Sequence, residues 1–400
     1  MEIERALPSA ELGAAKWALL AGNFVIGCGV MVVGGTLNDL THDLSISVSQ
    51  GGHLIAVAAL MMGVGAPLLA AAVGKFDRRA ILMWAMIWYG LGHAACALVP
   101  NAEWLLPVRA LTVLGAAVFT PQAAATAGYM STPANRGRSI TFVFMGWAVA
   151  SVAGMPLAAW ISDRMGWRVA MMLIAGAGLT VAWLLRQSLP KGIRPPALSW
   201  RSWRKVFRSP LLIVVVLVTA CQSAGQFTVL AYVAPLYRDG FGANAEQISL
   251  MFAWFGSLAL GGNLLLNRFV DRVGAGTSVT VTLGLMALSL AVWPLAQSLP
   301  QLALVLLPWA LSGFATNSGQ QARLGGLSPR LAPALMALNT SAIYLGQALG
   351  ASGGGGVISR SGYGDLHALG LVWMLTAWAL SAWAHVAQRR QEEVRIPALP

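Results

Sequence analysis

About twelve stretches of roughly twenty mostly apolar residues, separated by short polar breaks, run from Trp17 to about Val386. Each is long enough to cross a ~30 Å hydrocarbon core as a helix. In lipid every backbone polar group must be bonded internally, so only helices and closed barrels span. Barrel strands alternate apolar and polar residues over about ten positions, whereas Leu211-Leu-Ile-Val-Val-Val-Leu-Val218 does not alternate. The reading is an all-α membrane protein. Composition agrees: 10% of the 400 residues are charged, against about a quarter in a soluble domain.

The spans are placed at 17–37, 51–73, 80–99, 104–127, 139–161 and 168–187, then 211–233, 248–268, 276–296, 301–321, 333–357 and 366–386. Between the sixth and seventh lies the basic, Pro-rich segment Leu189-Pro-Lys-Gly-Ile-Arg-Pro-Pro196. The expected organisation is therefore a six-helix bundle over 1–187, a cytoplasmic linker over 188–210, and a second bundle with a tail over 211–400.

The net charge of +12 would fit nucleic acid, but its distribution follows the spans instead. With the N-terminus placed inside, the inner breaks hold Lys75, Arg78 and Arg79, then Arg136 and Arg138, Arg268 and Arg272, and Arg323 and Arg330. The longest inner break adds Lys191, Arg194, Arg201, Arg204 and Lys205, whereas the outer breaks hold Arg164, Arg168, Arg238 and Arg360. This is the positive-inside pattern, and it puts both termini in the cytoplasm, with an even number of spans. Partners are then the bilayer and its anionic lipids, not nucleic acid. The N-terminal apolar run is too long for a signal peptide. Cys28, Cys96 and Cys221 fall inside spans, without metal or disulfide spacing, and read as packing residues.

The halves share features. Gly146, Ala150 and Gly154 in the fifth span are matched by Gly346, Gly350 and Gly354 in the eleventh. Small residues every four positions let helix backbones approach closely in lipid. The break Gly74-Lys-Phe-Asp-Arg-Arg79 after span two is echoed by Asn267-Arg-Phe-Val-Asp-Arg-Val-Gly274 after span eight. Repeated six-helix halves are a feature of secondary transporters.

These residues resemble the major facilitator superfamily, and most nearly its bacterial twelve-helix drug and sugar efflux branch, the drug:proton antiporters. The family's turn after span two reads Gly-x-x-x-Asp-Arg-x-Gly-Arg-Arg. Ala70 to Arg79 fill that frame; Arg78 and Arg79 match, while Gly74 stands where the Asp belongs and Asp77 where the second Gly belongs. Asp271, Arg272 and Gly274 form the second copy. The resemblance implies that these turns stabilise one transport conformation. Gly154-Met-Pro-Leu157, with Pro156, followed by Gly166-Trp-Arg168, is similar to the family's antiporter motif. Gln321-Ala-Arg323, Ala337-Leu-Asn-Thr-Ser-Ala342 and Gly346-Gln-Ala-Leu-Gly350 resemble the tenth-to-eleventh span region of the branch.

Arg109 sits in the fourth span, where the family often carries an Arg. An ionisable residue inside a span is a functional hypothesis by default; the rival reading is a side chain that snorkels outward or pairs with Glu103. Many branch members place a membrane carboxylate in span one, but Val30 stands at that position here, and Asp39 is the nearest acid, at the span's outer end. Asp39 and Arg109 are thus the candidates for proton coupling, with a solvated helix-end carboxylate as the plainer reading of Asp39.

The resemblance puts the cavity among spans one, four, seven and ten, with span eleven adding to it. The polar residues there include Asn23, Arg109, Gln222, Gln226, Asn317, Gln320, Asn339 and Tyr344. Gln222 and Gln226 share a helix face. Interhelical hydrogen bonding is the alternative for each, at ~0.6 kcal/mol. The five histidines lack metal spacing, and His53 and His93 read first as packing. No nucleotide loop, cofactor or metal site is expected. The expected function is secondary export of small organic compounds by alternating access; the resemblance implies proton antiport, a bacterial inner-membrane location and a monomer as the working unit. Rivals are a sugar or sugar-derivative permease and a non-transporting sensor of the same fold. An enzyme would need a buried reactive constellation that the sequence does not display.

Overall fold

The computed structural model describes the backbone of residues 9–73, 76–132, 136–194, 200–328 and 331–395. Gly74 and the side chain of Asp271 lie outside the described residues. The chain divides into two compact units, Met1–Ala197 with Asn244–Ala253, and Leu198–Ala243 with Trp254–Pro400.

The first unit holds α1 (Ser9–Asp43), α2 (Val48–Val73), α3 (Arg78–Leu98), α4 (Ala102–Thr112), α5 (Leu114–Tyr129), α6 (Arg136–Met165) and α7 (Trp167–Ser188). Local chemistry sets the ends. Asp77 caps α3 by accepting from the Ala80 amide, and Asn101 caps α4 by accepting from the Trp104 amide at 3.2 Å. Gly166 turns the chain between α6 and α7 at φ +86°, a region costly for residues with a Cβ. The fourth span is broken at Val113, one residue after Thr112, whose hydroxyl donates to the Val108 carbonyl at 2.7 Å.

After the short α8 (Trp200–Phe207), the second unit holds α9 (Pro210–Leu230), α10 (Val233–Pro235) with a π turn over Leu236–Gly240, and much of α11 (Ala245–Val273). It continues with α12 (Ala275–Val292), α13 (Leu299–Leu327), α14 (Ala332–Ser361) and α15 (Leu366–Arg395). Pro210 starts α9 at a position where a missing N–H costs nothing.

Among the described residues eleven spans are long and apolar enough to cross a bilayer, with α4 and α5 acting as one. The 30-residue α14 has the length, but Asn339, Gln347 and its many glycines dilute its apolarity. The twelve-helix reading therefore stands, with α14 as the polar member. Leu68 and Leu304 are among many large apolar side chains left exposed, as a lipid-facing surface requires.

Packing repeats inside the two units. In the first, α1 lies on α6 and α7, and α3 on α7; in the second, α9 lies on α14 and α15, and α12 on α15. The small-residue stripes make the closest contacts. A Cβ at Gly146 would stand 2.3 Å from the Leu20 carbonyl, and one at Gly346, Gly350 or Gly354 would stand 2.2–2.5 Å from the carbonyls of Ala220, Ala224 or Thr228. Two arginines read as turn residues are buried instead. Arg323 lies within α13, 3% exposed, donating to the Ser381 hydroxyl at 3.0 Å. Arg78 is likewise 3% exposed, because the segment leading away from α7 folds over it: the Arg78 amide donates to the Ile193 carbonyl at 3.0 Å.

Candidate functional site

The first unit carries a buried polar cluster on α1, α3 and α4. Arg109, 1% exposed, neither reaches the surface nor meets Glu103. Its Nη1 donates to His93 Nε2 at 3.1 Å and its Nη2 to the carbonyls of Gly29 (2.7 Å) and Val30 (3.3 Å). His93 Nδ1 lies 2.9 Å from the Tyr89 carbonyl, and the Tyr89 hydroxyl donates to the Ile26 carbonyl at 3.0 Å. The close approach is possible because position 29 is glycine; a Cβ there would stand 2.3 Å from the Tyr89 hydroxyl. A buried charge needs compensation, and here dipoles of α1 and an imidazole supply it. The structure brings Arg109 to the backbone of Val30, but not to Asp39.

Asp39 is employed elsewhere. It accepts from the Ser162 hydroxyl at 2.9 Å and from the Trp167 amide at 2.8 Å, and so caps α7. One turn on, Asp43 accepts from Trp167 Nε1 at 3.0 Å and pairs with Arg168. Asn23, fully buried on α1, donates to the Val143 carbonyl of α6 at 3.1 Å, and its Oδ1 has no partner among the described residues.

In the turn before α3, Asp77 receives the backbone amide of Gly192 as well as that of Ala80. The buried guanidinium of Arg78 leaves Nε and Nη1 without partners among the described residues. Arg79 is half-buried and Arg272 exposed. Gly154 faces Cys28 of α1, whose sulfur would lie 3.2 Å from a Cβ, and Pro156 sits within α6 two residues on.

The second unit holds an amide and hydroxyl cluster on α9, α13 and α14. Gln320 Nε2 donates to the Val215 carbonyl at 2.9 Å and to Thr219 Oγ1 at 3.0 Å, and Thr219 donates to Asn339 Oδ1 at 2.7 Å. One turn along α9, Gln222 donates to Gln226 at 2.5 Å. Gln226 points at Gly313 of α13, where a Cβ would stand 2.8 Å from its Nε2 and 3.6 Å from Trp309 Nε1. Phe255 meets the Trp309 ring edge-on at 6.1 Å. Gln222 Oε1, Gln320 Oε1, Ser312 Oγ, Asn317 Oδ1 and Trp309 Nε1 are all buried and unpartnered among the described residues. Such groups are normally satisfied, so this face has both donor and acceptor capacity left over. Tyr344 is buried on α14.

Sequence reasoning passed over Thr219 and the pairing of His93 with Arg109. The spacing Thr219–Gln222–Gln226 on one face was a usable signal. The His93–Arg109 pair had none, because two different helices carry it.

Comparison with known proteins agrees with this architecture. The sequence profile of the Major Facilitator Superfamily matches residues 19–355 and 217–397. The inner membrane transport protein YdhP of Escherichia coli (strain K12) is 28% identical over 356 residues, covering 89% of this chain and 92% of that protein. The chloramphenicol resistance protein of Streptomyces lividans is 27% identical over 251 residues, covering 62% of this chain and 64% of its own length. A bacterial homologue of the human lysosomal transporter Spinster, in an inward-facing and unoccupied conformation, superposes with a TM-score of 0.73 at 18% identity, covering all of both chains. Spans, paired stripes, paired turns and profile coincide over nearly the whole length: the chain belongs to the major facilitator superfamily.

Proposed function

We propose that this protein exports a small, neutral to moderately amphipathic organic compound by alternating access, exchanging it for protons. The observation that carries the reading is the amide and hydroxyl face of α9 and α13, whose buried acceptors and donors lack internal partners. Neutral amides orient a ligand without selecting a fixed charge, and Trp309 with Phe255 supplies an aromatic wall. The drug-resistance name of one relative supports efflux. In this reading the bundles 1–187 and 211–400 are the moving halves, joined by the linker 188–210, with each monomer working alone.

Sugar or sugar-derivative efflux is the second reading. It is favoured by the density of amides, since Gln222, Gln226, Gln320 and Asn339 match the hydrogen-bonding demand of a polyol.

Purified protein in proteoliposomes with an imposed pH gradient, challenged with antibiotics, dyes and sugars, tests both. A transported drug with lumenal pH change supports the first reading, and transport of sugars alone supports the second. Substituting Gln226→Leu removes one neutral hydrogen-bonding group, worth about 0.5–1.5 kcal/mol. A weakening of roughly 2- to 10-fold in binding of the transported compound is expected. Unchanged affinity in both Gln226→Leu and Gln222→Leu would remove these amides from the site.

A further inference from the structure

His93 lies beside Arg109 at the level of Val30, while Asp39 is committed to capping α7. The two nitrogens of its ring have different partners. The Tyr89 carbonyl only accepts, so Nδ1 carries the hydrogen. The Arg109 guanidinium only donates, so Nε2 offers its lone pair and the ring is neutral in this arrangement. Nε2 also stands 3.5 Å from the Gly29 carbonyl, the same oxygen that Arg109 Nη2 holds at 2.7 Å. An acceptor for a protonated Nε2 is therefore already in place, occupied by a different cation.

We infer that His93 Nε2 is a proton-binding site, and that imidazolium and the Arg109 guanidinium take turns on the α1 carbonyls of Gly29 and Val30. The inference rests on the antiport reading above. A proton from water adds to the Nε2 lone pair, forming an N–H bond that donates to the Gly29 carbonyl. Arg109 stays protonated and gives up its hydrogen bonds to Nε2, to Gly29 and to Val30. Loss of the proton restores the present arrangement. Two cations about 3 Å apart repel strongly away from water, so one excludes the other. Because Arg109 ties α4 to α1, each proton bound releases that tie, which is the link between protonation and helix movement that coupling requires.

The surroundings leave this exchange undisturbed. On α3, Tyr89 packs edge-on at 4.3 Å with its hydroxyl on the Ile26 carbonyl, and the Cys96 thiol is 3.7 Å from the Thr112 hydroxyl. On α4, Glu103 is exposed in the first turn. On α1, Cys28 faces Gly154 of α6, and Asp39 and Asp43 are engaged with α7. The ionisable residues of α5 and α7 are Tyr129, Arg168 and Arg186, all near helix ends.

The test uses full-length protein in nanodiscs with 15N-labelled histidine, the His93 signal being identified by its loss in His93→Gln. In Arg109→Gln, Nε2 is expected to take up a proton at a higher pH than in wild type, because the competing charge is gone. In wild type and Arg109→Lys, which keep the competing charge, the midpoint is expected at least tenfold lower in proton affinity. Equal midpoints in wild type and Arg109→Gln would overturn the inference. Proteoliposomes supply an independent measurement, using whichever of chloramphenicol, ethidium and lactose the wild type transports. Loss of compound-driven proton flux in His93→Gln is expected. Flux surviving that substitution overturns the assignment of His93 and leaves antiport standing. A compound that wild type transports without any proton movement overturns both.

Discussion

Asp39 and Asp43 are one helical turn apart on α1, yet the energies expected of them differ. Asp39 is half-buried and satisfies the orphan amide at the start of α7 together with a serine hydroxyl. Removing a helix cap typically costs about 1 kcal/mol, and the serine would lose its partner as well. Asp43 pairs with Arg168 where both side chains are about two-fifths exposed, and such pairs contribute below about 1 kcal/mol. Asp39→Ala should therefore lower the unfolding temperature of the purified protein by about 1–3 °C, and Asp43→Ala by less. A larger effect at Asp43 would show that the capping geometry is not what holds α7. The same contrast explains what could be read from sequence at this scale. Residue type and position identified Arg109 as an internal charge and Asp39 as an acid at a helix end. Partners were not legible, because carbonyl oxygens such as those of Gly29 and Val30 leave no side-chain signature. Arg323 was misplaced for a related reason: its neutral partner, Ser381, lies 58 residues away on α15.

Helix pairs carry the next level of organisation. The spacing of Gly346, Gly350 and Gly354 was enough to foresee a face that another helix approaches closely, since only small side chains permit that distance. What spacing could not supply was the identity of the partner, α9, whose carbonyls the glycines touch. The stripe makes a sharp prediction. A Cβ at Gly350 would stand 2.2 Å from the Ala224 carbonyl and 2.9 Å from the Thr228 nitrogen, both backbone atoms that cannot rotate away. Gly350→Ala must push α14 from α9, and overpacking of this kind costs about 1–3 kcal/mol or more. Gly356, on the same helix, has nothing within 4 Å of its would-be Cβ. Gly356→Ala should be neutral or stabilising by up to ~1 kcal/mol through helix propensity alone. Thermal unfolding of both variants in one detergent decides the matter, and equal effects would refute the close-contact account of the stripe.

At the scale of the whole molecule, the hydrophobic rhythm made the all-helical membrane fold legible, because twenty apolar residues in lipid leave the backbone few alternatives. Only α14 strained that logic, being long enough to span yet diluted by Asn339, Gln347 and glycines. Orientation rests on a different property, the placement of Lys and Arg, and it can be measured directly. Basic residues flanking short loops are retained on the cytoplasmic side. The turn at Asp77–Arg79, with the segment Lys191–Arg194 folded against it, is then expected on the cytoplasmic side, and the turn at Asn101, one span further on, on the opposite side. Among the native cysteines, Cys96 is buried, and Cys28 and Cys221 lie within α1 and α9, so a cysteine-free background is a modest change. In that background Asn101→Cys should react with a membrane-impermeant maleimide on intact cells, whereas Lys191→Cys should react only after the membrane is opened. Both positions are exposed, so absence of labelling would report sidedness rather than burial. The reverse pattern would invert every loop together, because three spans, an odd number, separate the two sites and hold them on opposite sides. Reversing the charge asymmetry, by removing the arginines at 78 and 79, should then produce a mixed labelling pattern if those charges set the orientation.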